Sequence, residues 1–202
     1  MASHMKTRFA FVSALLVSLA LLASSGCGST VNYPYNKEPD PRTSEYQIGP
    51  LDQVKVGVWK NAELSAEVTV RPDGIITLPL IGDVRAAGRT STEIRKELSQ
   101  RYAAYVRVEE SVVTLTVTQV NSLGFSVSGN VEKAGVYQVK AYVTLLEALA
   151  TAGGPNKYAS NAAYIVRGTP ARKIPIDLKA LSSGERPDMN IVVLRGDQIV
   201  VP

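Results

Sequence analysis

Histidine and cysteine carry most side-chain catalysis and metal binding, and this chain has one of each among its 202 residues. His4 falls in residues 1–4, which read as a cloning scar ahead of a native start at Met5. The remainder therefore has no histidine for general-base work, no Cys–His pair and no zinc ligand set. No GxxxxGK[ST] or GxGxxG loop is present, and Ala152-Gly153-Gly154 reads as a helix stop rather than a phosphate cradle. Glu109 and Glu110 adjoin each other at a strand entrance, which suits a solvated charge pair better than the two carboxylates of a glycosidase. No catalytic residue, metal or cofactor is expected, and the chain is not read as an enzyme. Two polar groups remain as candidates. Arg71, Asp73 and Asp83 surround a Pro-Asp-Gly turn, where they could line a hydrated channel, pair between subunits, or be solvated turn charges. Asn156 and Tyr158 follow Gly153-Gly154, where an amide and a phenol could meet a sugar or a neighbouring subunit, or accompany a plain C-cap.

The elements that position these groups are legible from periodicity. Val54, Val56 and Val58 alternate with Lys55 and Gly57, a half-buried strand ending near Trp59. Val68 and Val70 alternate up to Pro72-Asp73-Gly74, and Ile76, Leu78 and Leu80 resume beyond it, which predicts a hairpin. Pro79 cannot donate to a ladder, so the second arm is an edge or ends there. Thr90-Ser-Thr-Glu93 is a capping box opening a helix. Ile94, Leu98, Tyr102 and Tyr105 share one face of it, read as core. Val113, Leu115 and Val117 alternate with threonines, a strand closing a first domain. From Phe125 the pattern restarts. A strand pair turns at Glu132–Gly135, a second capping box spans Thr144–Glu147, and strands are predicted at Tyr164–Arg167, Lys173–Asp177 and Gln198–Val201. The fold class is α+β: two small β-rich domains, each with one main helix.

Hydrophobic content of 45% and charged content of 20% are those of a folded protein with an apolar appendage. Lys6 and Arg8, an apolar run from Phe9 to Ala23 and small residues up to Gly26 make residues 5–26 a secretory signal peptide. The run is shorter than the about 20 residues a spanning helix needs. Without Lys6 and Arg8 the formal charge falls from +4 to +2, too little to argue for nucleic acid. A single cysteine in an exported protein needs an explanation other than an internal disulfide. Leu22-Ala-Ser-Ser-Gly-Cys27 resembles a bacterial lipobox, which implies lipid attachment at Cys27, and Gly28 after it implies sorting to the outer membrane. Residues 27–44, with prolines and no periodicity, read as a flexible tether.

RPDGIITLPLIGDV, with YQIGPLD at Tyr46–Asp52 and AGRTSTEI at Ala87–Ile94, resembles the N-terminal domain of the outer-membrane polysaccharide export lipoproteins. Leu51 stands where that family usually has glycine, and Arg89 where it has an apolar residue. SGNVEKAGVYQV, TLLEALATAGG and LRGDQIVVP resemble the β-grasp (SLBB) module that follows the export domain there. The resemblance implies a polysaccharide export domain over residues 45–120 and an SLBB β-grasp domain over residues 121–202.

It also implies a role: a periplasmic, lipid-anchored outer-membrane component of capsule or exopolysaccharide export. Subunits would assemble into a ring that passes polymer outward, above an inner-membrane polysaccharide co-polymerase. Arg71, Asp73, Asp83, Asn156 and Tyr158 are the candidates for polymer path or subunit contact. Many members continue into a C-terminal membrane helix, whereas this sequence stops at Pro202, so a separate outer-membrane β-barrel is expected to complete the path. The rival reading is a monomeric periplasmic lipoprotein that binds oligosaccharide or serves as an adaptor.

Overall fold

The computed structural model describes residues 33–105 and 113–202. The scar, signal peptide and Cys27 anchor expected from sequence, and the Glu109–Glu110 pair, lie outside the described residues. In chain order the first half runs β1 (Gln53–Val58), β2 (Ala66–Thr69), β3 (Ile75–Leu78), β4 (Gly82–Arg85), α1 (Ser91–Tyr102) and β5 (Val113–Gln119). β1 is the central strand of a three-stranded antiparallel sheet, with β2 and β5 at its sides. Its valines face a core, as the alternation requires, and α1 covers them with Ile94, Leu98 and Tyr102. The capping box that starts α1 is complete. The Glu93 amide donates to Thr90 Oγ1 (3.2 Å) and the Thr90 amide donates to Glu93 Oε2 (3.0 Å). Tyr105 departs from expectation. The helix stops at Tyr102, so the 3.6-residue spacing no longer holds three residues on, and Tyr105 lies exposed.

The expected hairpin is also rearranged. The turn at Pro72-Asp73-Gly74 is present, with the Gly74 amide donating to the Arg71 carbonyl at 2.8 Å. Gly74 has φ +84°, and a Cβ there would come within 2.6 Å of the Ala87 Cβ, so both backbone and packing require glycine. The two arms nevertheless do not form a ladder. β2 is hydrogen-bonded to β1, while β3 pairs with β4, placing Ile76 opposite Val84 and Leu78 opposite Gly82. Pro79 ends β3, and Leu80, at φ +63° and exposed, occupies the tight turn instead of extending the buried face.

The second half runs β6 (Gly124–Gly129), β7 (Gly135–Gln138), α2 (Leu145–Thr151), β8 (Ala162–Arg167), β9 (Arg172–Asp177), α3 (Leu178–Ser183) and β10 (Gln198–Val201). Its five strands are ordered β7-β6-β10-β8-β9, with β10 parallel to β6 and antiparallel to β8. Phe125, Val127, Ile165, Ile174 and Ile199 meet Leu145 and Leu149 of α2 in a second core. The architecture is α+β in both halves, as expected. The short helix α3 was not foreseen. Asp177 caps it by accepting from the Ala180 amide at 3.0 Å, and Leu178 and Leu181 anchor it in the core.

Residues 33–44, expected as part of a flexible tether, are instead a strap docked on the second half. Tyr35 is buried in that half's core, and its hydroxyl donates to the Pro175 carbonyl. Tyr33 packs against the same core, 4.9 Å from the Tyr35 ring. Proline-rich composition hid these two aromatic anchors, whose apolar burial works against the entropy cost of ordering the segment.

Candidate functional site

The five candidate residues fall into two groups. Arg71 lies just beyond β2 and Asp83 on β4, and the turn at Gly74 brings them together. The Arg71 guanidinium is 2.6 Å from Asp73 and 3.4 Å from Asp83, and the Thr77 hydroxyl donates to Asp83 across the β3–β4 ladder at 2.6 Å. All three charged side chains are about half exposed, so their mutual pairing contributes little stability. They form a polar ridge whose charges largely satisfy one another.

Asn156 and Tyr158 sit in the second half, on the connection between α2 and β8. The Asn156 side chain is committed to backbone: Oδ1 accepts from the Tyr158 amide (2.8 Å) and Nδ2 donates to the Val131 carbonyl (3.4 Å). Asn156 therefore shapes the loop. The Tyr158 ring is 72% exposed, with the Lys157 ammonium 4.9 Å from its centroid, and is free to meet a ligand face. Among the described residues no hydrogen bond or ion pair joins the two groups. They are separate surface features.

Sequence reasoning missed three arrangements. The first is the junction between the halves, organised by Asp52, whose exposure is 0%. Its carboxylate accepts from the Tyr46 hydroxyl (2.6 Å), the Gly49 amide (2.8 Å), the Asn121 and Ser122 amides (2.8 Å each) and the Ser122 hydroxyl (3.0 Å). Burial pushes the carboxyl toward neutrality, but the hydrogen bonds from Tyr46, Gly49, Asn121 and Ser122 outweigh it, and Asp52 titrates below the ordinary aspartate range. Burial and the Asp52 carboxylate together push the Tyr46 phenol up to about 12. Arg195, from the loop before β10, donates to Ser122 Oγ at 2.7 Å and extends this network into the second half. The YQIGPLD stretch was the available signal, since it begins with Tyr46 and ends with Asp52.

Leu51 adjoins this junction. It keeps a left-handed backbone at φ +73°, with its amide on the Val70 carbonyl at 2.8 Å. A non-glycine residue in that region costs about 1–2 kcal/mol. Leu51→Gly is expected to raise stability by about 1 kcal/mol after glycine's own entropy, a melting temperature roughly 2–4 °C higher. A thermal melt with unchanged or lower midpoint would show that the exposed leucine contributes packing that offsets the strain. Arg89, the other departure from the family pattern, is accommodated by an ion pair with Glu97 and a hydrogen bond to the Arg85 carbonyl at 3.0 Å.

The second arrangement is a buried ion network. Glu38 of the strap meets Arg167 of β8 at 2.8 Å, and Arg167 meets Asp197 at 2.6 Å. The third is an open cleft of ≈ 720 Å³ beside Trp59, at the end of β1.

Comparison with known proteins follows the same division into halves. The family model for polysaccharide biosynthesis/export proteins matches residues 40–118, and that for the SLBB domain matches residues 124–201. The chain is 28% identical over 149 residues to the exopolysaccharide production protein ExoF of Rhizobium meliloti (strain 1021), an alignment covering 69% of this chain and 32% of ExoF. It is 27% identical over 183 residues to the EPS I polysaccharide export outer membrane protein EpsA of Ralstonia nicotianae, covering 79% and 47%. The polysialic acid transport protein KpsD of Escherichia coli is 27% identical over 135 residues, covering 65% and 22%. The chain thus spans less than half the length of each of these relatives. An export domain followed in the same chain by an SLBB domain places this protein in the outer-membrane polysaccharide export family.

Proposed function

We propose that this protein is a component of capsule or exopolysaccharide export, anchored by lipid at Cys27 to the periplasmic face of the outer membrane. Its subunits form a ring around the polymer path. The ring stands above an inner-membrane polysaccharide co-polymerase and hands polymer to an outer-membrane β-barrel. The observation that carries the reading is the order of the two domains, supported by relatives whose names refer to exopolysaccharide production, EPS I export and polysialic acid transport. The family is one of export proteins rather than enzymes. Among the described residues no helix is long and apolar enough to cross a membrane, and none of their acidic, histidine and cysteine side chains cluster as a metal site.

Surface polysaccharide on cells lacking the gene tests this reading, beside cells restored with the intact gene or with Cys27→Ala. Loss of surface polymer, restored by the intact gene and not by Cys27→Ala, is the expected result. Unchanged surface polymer in a strain with no second copy removes export and leaves the periplasmic binding lipoprotein. Native mass measurement checks the ring, which requires a stable multimer where the binding lipoprotein requires a monomer.

A further inference from the structure

The end of β1 presents an aromatic ring to solvent from a well-braced loop. Val58 and Leu64 on either side are core residues, whereas Trp59 between them is 67% exposed. Lys60 follows in the left-handed region at φ +59°, a conformation that a non-glycine residue adopts at a cost. The loop is tied down on both sides of that turn. The Asn61 amide donates to the Val58 carbonyl at 3.1 Å, and its side-chain Nδ2 donates to the Trp59 carbonyl at 2.9 Å. The Ser65 hydroxyl accepts from the Val58 amide at 2.9 Å. The backbone that carries the indole is therefore braced, and the ring is exposed.

The cleft beside it is open, and its lining is more apolar than polar. Gly57, one of the lining residues, lies opposite Thr114 on β5, and a Cβ there would come within 2.7 Å of the Thr114 hydroxyl. The Thr114 hydroxyl, which donates to the Gly57 carbonyl at 3.3 Å, and the Asn61 side chain line the cleft, and Lys60 is the charged side chain among the lining residues. A pyranose ring has matching chemistry: an apolar face of C–H groups bordered by hydroxyls. Its face would lie on the indole while its hydroxyls meet the Asn61 amide and the Thr114 hydroxyl. A carboxylate on the sugar would meet the Lys60 ammonium.

We propose that Trp59 is the stacking platform of a pyranose-binding site, with Asn61 and Thr114 at its hydroxyl edge and Lys60 favouring acidic sugars. The site rests on the export reading, and its ligand is a short segment of the exported polymer. Trp59 is the sole tryptophan, so the intrinsic fluorescence of the full chain reports on this site directly. Oligosaccharides released by partial hydrolysis of the producing cells' own surface polymer serve as the probe. A saturable change in emission is expected. Calorimetry should show binding weakened at least about tenfold in Trp59→Ala and partly retained in Trp59→Phe. Lys60→Ala should weaken acidic fragments more than neutral ones, and lowering salt should strengthen acidic fragments in the parent protein only.

Undiminished binding by a folded Trp59→Ala protein overturns the site. So does a Trp59→Ala protein whose native mass falls while sugar binding is unchanged, which would make this face a contact between subunits. Absence of any saturable response, with cells that lose surface polymer on deletion, overturns the site and leaves export standing. Trp59-dependent binding, with cells that keep their surface polymer on deletion, supports the site and removes the export reading.

Discussion

Asp52→Ala is expected to cost about 3–5 kcal/mol, a large share of the about 5–15 kcal/mol that holds a domain folded. The carboxylate is the common acceptor for the Gly49, Asn121 and Ser122 amides and the Tyr46 and Ser122 hydroxyls. Alanine removes the acceptor shared by the buried Gly49 amide and the part-buried Tyr46, Asn121 and Ser122 donors, and each unmade hydrogen bond to a charged group counts for about 1.5–3 kcal/mol. Asp52→Asn keeps the shape but turns an NH₂ toward donors, so it should fall between alanine and the parent. Urea unfolding measures all three, and a loss under about 1 kcal/mol for alanine would show that water or a rearranged loop satisfies the junction. Asn121 and Ser122 belong to the segment joining the halves and are tied by Asp52 to the first half, so cleavage by a protease near residues 120–123 should also accelerate.

The sign of the pH dependence follows from the same contacts. Asp52 titrates lower in the folded protein than in the unfolded chain. Its contribution to stability is fully present above the ordinary aspartate value of about 4 and is lost as the pH falls through the depressed value. Acid unfolding of the parent should therefore begin below about pH 4, and Asp52→Asn should flatten that limb of the curve.

How far the fold could be read beforehand depends on the range of the interactions. Both capping boxes, the valine alternation of β1 and the stop at Gly153-Gly154 are local, set by residues within four positions of one another, and they occur as expected. The pairing of β3 with β4 instead of β2 is a competition between partners. Alternation alone could not show that β1 takes β2, and Leu80 in a left-handed turn contradicts its own residue preference. Tyr105 was placed by extending a period past a helix end that carries no glycine or proline signal. The strap was the largest miss, because Glu38 lies 129 residues from its partner Arg167 and nothing in a proline-rich stretch marks one glutamate as buried. The candidate polar residues had the opposite fate. Arg71, Asp73 and Asp83 do converge, since one turn and one ladder bring them together, whereas Asn156 proves to be part of the loop that presents Tyr158.

Arg167→Ala is expected to be the second most damaging substitution, at about 3–5 kcal/mol, and to release the strap at neutral pH. The Arg167, Glu38 and Asp197 side chains are 6%, 3% and 1% exposed. The guanidinium is bidentate to Asp197, through Nε (3.0 Å) and Nη2 (2.6 Å), donates to the Val192 carbonyl (2.7 Å) and gives its remaining nitrogen to Glu38 (2.8 Å). Alanine leaves two carboxylates buried without that counter-ion, although Arg172 still reaches Glu38 at 2.7 Å from a more exposed position. Glu38→Gln keeps the Arg167–Asp197 pair, so its cost should be smaller and confined to the strap. Burial pushes the Glu38 carboxyl up, but the Tyr33 hydroxyl and the Arg172 and Arg167 guanidiniums bring it below the ordinary glutamate range. The latch is thus intact above about pH 4.3 and opens as the pH falls through that lowered value. Hydrogen exchange over residues 33–44 reads the latch separately from global unfolding. Protection there should be lost in Arg167→Ala at pH 7 and in the parent only in acid. Retained protection in a folded Arg167→Ala protein would mean that Tyr33 and Tyr35 alone hold the strap, and that the ion network serves the second half's own core.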